Sequence, residues 1–281
     1  MSDQPRTMII PLERLGVCSW SLRPGSTRDL LDGITATGVP KVQLALDPVA
    51  DRPESFGDSI EAIRAAGIII ASGMFEAVGE DYGTLDSIKA TGGVRPDRHW
   101  SETRARAARA ATMAADAGIP LVTMHAGFIP HEADDPARTV IIDRLREVAD
   151  LFAARDIRLG LETGQETAET LVAALEALDH PAVGVNFDPA NMILYGMGDP
   201  VAAIRTLAPY VVQVHAKDAV PTTEPGTWGA EVPLGRGVVE WEAFLAEVLT
   251  LRPEVDVVVE REAGEDRIKD IETARQLLAG A

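Results

Sequence analysis

Eight short apolar runs, most of them rich in β-branched residues, recur along this chain. They are LGVCSWS (15–21), KVQLAL (41–46), IIIASGMF (68–75), IPLVTMH (119–125), IRLGLE (157–162), AVGVNFD (182–188), YVVQVH (210–215) and VDVVVE (255–260). Several are apolar at nearly every position, the pattern of strands covered on both faces. Between them stand stretches of helical length: SETRARAARAATMAADAG (101–118), DPARTVIIDRLREVADLFAARD (135–156), QETAETLVAALEAL (165–178) and WEAFLAEVLTL (241–251). In the second, Ile142, Leu145, Val148, Ala149 and Phe152 recur at spacings of three and four, one face of a helix. Strands alternating with helices imply right-handed crossovers and a parallel sheet. Eight such units in 281 residues predict an α/β fold, a single (β/α)8 barrel domain over 1–281. An open doubly wound sheet is the rival, but it calls for a glycine fingerprint after the first strand, and none is there.

Composition narrows the partners. The chain carries 26 basic and 44 acidic residues, a formal charge of −18, which repels nucleic-acid backbones and anionic lipid. Neither nucleic acid nor membrane is therefore expected as a partner. The lone Cys18 excludes an internal disulfide and suits a reducing compartment. No run reaches the ~20 apolar residues of a membrane span, and MSDQPRTMIIPLERLG lacks the apolar centre of an export signal. The expected location is cytoplasmic.

The chemistry gathers at the ends of the strands. The fifth run ends in Glu162, the sixth in Asp188, the seventh in His215 and the eighth in Glu260; the fourth ends in His125. Taken singly, each has an ordinary explanation. Asp188 precedes Pro189 and could cap the next helix, and His215 could be a satisfied core histidine. In a closed barrel, however, successive strand ends share one rim. Three buried carboxylates meeting there would be very costly without a compensating cation. Either they do not converge or a metal sits between them. Three oxygens and one imidazole would suit Mn²⁺ first, then Mg²⁺ or Co²⁺, with Zn²⁺ also compatible.

The segments TMHAGF (123–128), LGLETG (159–164), VGVNFDPANM (183–192), QVHAKDA (213–219), PLGRGVVEW (233–241) and VVVERE (257–262) cover nearly the whole chain. In order and spacing they resemble the xylose isomerase-like TIM barrels, in the sugar phosphate isomerase/epimerase branch. That group includes ketose 3-epimerases, hydroxypyruvate isomerases, inosose dehydratases and, more distantly, endonuclease IV. The resemblance implies one divalent metal ion held by Glu162, Asp188, His215 and Glu260, with Glu162 and Glu260 also the catalytic acid/base pair. It implies an isomerase or epimerase acting on a keto-sugar or polyol-derived ketone by proton transfer through an enediolate. A keto-sugar lyase of the inosose dehydratase type is the alternative. Relatives are often homodimers or homotetramers.

Further residues are candidates for substrate contact. His125 could bond a substrate hydroxyl. Asn191 stands where many relatives have histidine. Lys217 and Asp218 could orient His215 or the substrate, or form a surface ion pair. Trp20 could wall a sugar's C–H face or pack the core. Glu76 could reach in from the third strand, and Arg236 could neutralise an acidic substrate or face solvent. Two long connections, 76–100 with GEDYG and TGG and 216–239 with GTWG and GRG, follow strand C-termini. Their glycines permit hinging, so Tyr82 and Trp228 are expected to close over the substrate. An endonuclease IV-like phosphodiesterase would need extra histidines, but Asn191 replaces one expected ligand and the loop around Trp228 offers none; a non-catalytic sugar-binding barrel would not need the ligand set.

Overall fold

The computed structural model describes residues 9–280. Residues 1–8, half of the stretch read above for an export signal, lie outside it. Ten strands form: β1 (Leu15–Cys18), β2 (Lys41–Ala45), β3 (Ile69–Met74), β4 (Leu121–His125), β5 (Arg158–Glu162), β6 (Val183–Phe187), β7 (Val211–Ala216), β8 (Asp218–Val220), β9 (Ala230–Val232) and β10 (Asp256–Val259). Eight of them close a parallel barrel in the order β1-β10-β7-β6-β5-β4-β3-β2. The eight apolar runs all become barrel strands, and β5, β6, β7 and β10 are successive neighbours.

Each run is trimmed by its end chemistry. In the first, Ser19–Leu22 leaves the strand for a 3-10 turn closed by Arg23 in the left-handed region. In the sixth, Asp188 caps the helix Pro189–Leu194. The helix expected over 101–118 starts earlier, at Asp97 directly after Pro96, and ends at Asp116. The one expected over 165–178 starts at Ala168, because Thr167 caps it through the Thr170 amide.

The core lies in two layers, the barrel interior and the shell between strands and helices. The helix Pro136–Ala153 buries Ile141, Ile142, Leu145, Val148, Ala149 and Phe152. Phe152 stacks on Phe75 with centroids 5.9 Å apart. Each fully buried side chain of this size contributes about 1.5–3 kcal/mol. Inside the barrel the filling is partly polar: Gln43, Ser72, Thr123, Asn186 and Gln213 are all fully buried.

The two long connections are not plain loops. The first holds a helix, Leu85–Thr91, opened by a Thr84–Ser87 capping box. The second folds back on itself as an antiparallel hairpin of β8 and β9. Both lie over the C-terminal mouth of the barrel and line its cavity. Among the described residues, no helix is long and apolar enough to cross a membrane.

Candidate active site

Parallel register sets the site. His125 pairs with Glu162, Glu162 with Asn186, and His215 with Val258. Glu162 therefore ends β5, Asp188 follows β6, His215 lies one residue before the end of β7, and Glu260 follows β10. All four are at most 5% exposed. One nitrogen or oxygen from each falls within 4.8 Å of the others. His215 Nδ1 is 3.4 Å from Glu260 Oε2, 3.7 Å from Glu162 Oε1 and 3.8 Å from Asp188 Oδ2. The four strand ends do converge.

Two atoms of this cluster are buried without a hydrogen-bond partner: Asp188 Oδ2 and His215 Nδ1. The neighbours explain why these two are left over. Asp188 Oδ1 accepts from the amides of Ala190 and Asn191 at 2.7 and 3.0 Å, so one oxygen caps the helix and the other faces the cluster. His215 Nε2 lies 2.7 Å from Gln43 Oε1, an acceptor, while Gln43 Nε2 donates to Thr123 Oγ1. Nε2 also lies 3.0 Å from Asn186 Nδ2, but the shorter Gln43 contact places a ring hydrogen on Nε2; without a cation the surrounding carboxylates favour a second hydrogen on Nδ1, and a bound cation would take its place. Orphaned buried polar atoms are costly. A divalent cation shared by Asp188 Oδ2, His215 Nδ1 and the two glutamates would satisfy both, so these residues fit the metal the resemblance implies. Cys18 also lies 3.8 Å from His215 Nε2. Burial pushes its thiol well up, and a thiol that keeps its proton is a poor ligand.

The two glutamates are held from different sides. Glu162 accepts from Asn191 Nδ2 at 3.0 Å and Asn186 Nδ2 at 3.1 Å, with His125 Nε2 at 3.4 Å. Glu260 accepts from Trp20 Nε1 at 2.7 Å and Lys217 Nζ at 2.8 Å. Lys217 also reaches Glu262 at 2.6 Å. Burial would raise both carboxyls, but opposite charges win. His215 and His125 pull Glu162 down, and Lys217 and His215 pull Glu260 down. Burial leads at Asp188 instead and raises it.

Two members of the cluster, Glu162 and Glu260, line a cavity of about 950 Å³. Trp20, Glu76, His125, Asn191, Lys217 and Trp228 are on its walls, as is Tyr82. Trp20 proves to be a hydrogen-bond donor to Glu260 as well as a wall. Trp228, in the segment that joins β8 to β9, packs edge-on against Tyr195 with centroids 4.9 Å apart. Two candidates lie elsewhere. Asp218 is buried but points away: Oδ2 accepts from the amides of Gly235 and Gly237 and from Trp241 Nε1. A Cβ at Gly237 would sit 2.0 Å from Asp218 Oδ1, so the GRG segment is a turn wrapped round this carboxylate. That turn faces the Arg236 side chain outward into solvent, away from the cavity walls. Neither residue is placed to contact a substrate.

Sequence reasoning missed the polar floor beneath His215. Ser72 donates to Gln213, Gln213 to Asn186, and Asn186 to Glu162. The available signal was a polar residue at an inward position of an otherwise apolar strand, as in VGVNF and YVVQVH.

A closed parallel barrel with an acidic-histidine cluster at its C-terminal mouth defines a class of proteins. The chain belongs to the xylose isomerase-like TIM barrel family, whose sequence model matches residues 61–280. A xylose isomerase domain protein from Planctomyces limnophilus is 32% identical, with 89% of this chain and 91% of that one covered and a TM-score of 0.83. The 3-oxo-isoapionate decarboxylase of Pectobacterium atrosepticum is 28% identical over 129 residues, 44% of this chain and 46% of that protein. The chain thus spans less than half the length of the curated relatives it matches. The 3-keto-D-glucoside 4-epimerase of E. coli shares the fold at a TM-score of 0.70 and 14% identity, with 94% and 98% of the two chains covered.

Proposed function

We propose that this protein is a divalent-metal-dependent isomerase or epimerase of a keto-sugar or polyol-derived ketone. One observation carries the reading: two buried glutamates, Glu162 and Glu260, meet beside an orphaned imidazole nitrogen and an orphaned carboxylate oxygen. Glu162, Asp188, His215 and Glu260 would hold the ion, with Mn²⁺ the first metal to try. The ion would supply positive charge that acidifies the C–H between a carbonyl and its neighbouring hydroxyl. One glutamate takes that proton and the other returns it, to the opposite face or the adjacent carbon, through an enediolate. Asn186 and Asn191 hold Glu162 in place, while Trp20 and Lys217 hold Glu260. Tyr82 and Trp228 cover the cavity and exclude water. His125 Nε2 is placed to hydrogen-bond a substrate hydroxyl.

A lyase on a keto-sugar is the second reading. The decarboxylase similarity favours it, as does Lys217, a buried ammonium beside Glu260 that could meet a departing or acidic group.

The test is a panel of keto-sugars, inososes and 3-keto-glycosides in deuterated water with added Mn²⁺. Deuterium on the product carbon next to the carbonyl is the expected result. Loss of water or carbon dioxide would move the assignment to the lyase. Product formed with full retention of the substrate's own hydrogen would overturn proton transfer.

A further inference from the structure

A second polar chain reaches Glu162 from outside the cluster, and it is built from GEDYG and TGG. The Glu80 side chain is only 6% exposed, although it sits on a connection over the barrel mouth. Its Oε1 accepts from the Gly93 amide at 2.8 Å, and its Oε2 accepts from the Tyr82 hydroxyl at 3.3 Å. The Tyr82 oxygen is 2.9 Å from His125 Nδ1, and His125 Nε2 is 3.4 Å from Glu162 Oε1.

The chemistry gives this chain a direction. An ionised carboxylate can only accept, so the Tyr82 proton goes to Glu80. The tyrosine oxygen is then an acceptor for the ring, and His125 Nδ1 must carry a hydrogen. The frame behind it is tight. Gly93 has φ +60°, and a Cβ there would lie 2.0 Å from the Ala126 carbonyl oxygen. The Val94 amide donates to that same oxygen at 3.1 Å. TGG is thereby fastened to the residue that follows His125, and Asp81 is tied to Thr91 Oγ1 at 2.9 Å. Tyr82 is 45% exposed overall, with its hydroxyl turned inward.

We infer that Glu80 is a positioning residue for His125. Through Tyr82 it fixes the imidazole ring with a hydrogen on Nδ1, so that Nε2 is the nitrogen turned towards Glu162 and, in the neutral ring, the acceptor for a substrate hydroxyl. A glutamate with a purely structural task would need only the Gly93 amide. The kinetic consequence rests on the proposed function; the state of the ring does not.

The experiment uses the full chain loaded with Mg²⁺ and nitrogen-15 NMR of the imidazoles. His125→Gln identifies the His125 signals among the five histidines. Wild type should show a protonated Nδ1 at every pH at which the ring is neutral. Glu80→Gln keeps an oxygen for Gly93 but turns an amide donor towards Tyr82. That reverses the chain, and the ring proton should move to Nε2; Tyr82→Phe should also perturb the signal. A wild-type Nε2–H ring, or a spectrum unchanged in Glu80→Gln, would overturn the inference. On a substrate that passes the deuterium screen, Glu80→Gln and Tyr82→Phe should each lower kcat by about 10- to 100-fold with KM nearly unchanged. The double variant should be no worse than the worse single one, and multiplied losses would count against a chain. If no substrate turns over, the proposed function fails and the NMR result still decides Glu80.

Discussion

Glu162 and Glu260 are equally buried, at 5% exposure each, yet the protein holds them by different chemistry. Glu162 rests on the neutral amides of Asn186 and Asn191, and its nearby counter-charges are the imidazoles of His125 and His215. Glu260 rests on an indole N–H and on Lys217, whose own pKa is raised because Glu260, Glu262 and Asp188 outweigh its burial. An ammonium so paired stays charged throughout the working range of pH, whereas an imidazole can lose its proton. The difference teaches that the pair is not symmetric. Both carboxyls are lowered and both lie beside His215; Glu260 alone has a permanent ammonium against it, and Glu162 alone has the second imidazole, His125.

The largest effect should come from removing either carboxylate. Glu162→Gln and Glu260→Gln should each lower kcat by about 10²–10⁴-fold, with metal content measured in each variant. The asymmetry predicts which half-reaction survives. Glu162→Gln should lose exchange of the substrate proton along with turnover. Glu260→Gln should still exchange that proton in deuterated water while failing to form product. The reverse pattern would swap the two roles, and identical behaviour would remove the asymmetry.

Next in size is Lys217→Met. It leaves Glu260 and Glu262 without their cation, and breaking a buried pair from one side costs about 3–5 kcal/mol. Urea unfolding of the metal-free protein measures it. The sign with pH follows from the lowered Glu260 carboxyl. Its contribution is present above the unfolded glutamate pKa of about 4.3 and is lost as pH falls towards the folded value. Wild type should therefore lose stability on acidification, and Lys217→Met should lose less. Equal acid sensitivity in the two proteins would show that the pair is not what holds Glu260 ionised.

The Glu162 side supplies a test of opposite sign. Burial pushes the Glu166 carboxyl up to about 8, against His125 and a Gln165 backbone contact that lower it. An acid raised on folding binds more protons folded than unfolded. It costs stability as pH rises from about 4.3 to about 8. Glu166→Gln should thus stabilise by up to about 4–5 kcal/mol at pH 8 and by almost nothing at pH 4. Thermal melts at the two values settle it, and a pH-independent difference would mean that Glu166 is ionised in the folded protein.

Much of this architecture was legible because strand ends are marked twice. Runs such as LGLE and VDVVVE show both a doubly covered strand and the acid at its exit. The ring order of β5, β6, β7 and β10 then turns separate strand ends into one cluster. Asp188 shows why neither reading of a single residue was enough: one oxygen caps the helix and the other faces the site. What was not legible depends on contacts across the barrel. Nothing local in KVQLA says that Gln43 will meet His215, 172 positions away. The hairpin of β8 and β9 leaves no strand pattern in the sequence, because its three-residue strands are too short to show an alternation. Lys217 and Asp218 are consecutive, yet in the extended chain they point to opposite sides. One lies in the site and the other in the turn behind it.

That last pair yields the smallest expected effect and the sharpest control on where the site stops. Arg236 stands between Gly235 and Gly237, whose amides both donate to Asp218 Oδ2 at 2.9 and 3.0 Å. The turn uses the backbone of GRG and leaves the arginine side chain in solvent. Arg236→Ala should change stability by less than about 0.5 kcal/mol, the range of surface substitutions away from special features. It should leave kcat and KM as they are. Asp218→Ala, one turn inside, should lower the melting temperature by removing a carboxylate that serves four backbone amides and Trp241. A loss of tenfold or more in kcat/KM from Arg236→Ala alone would mean that the GRG turn swings over the mouth when substrate binds. The boundary between the Glu260 half and the hairpin would then have to be drawn further out.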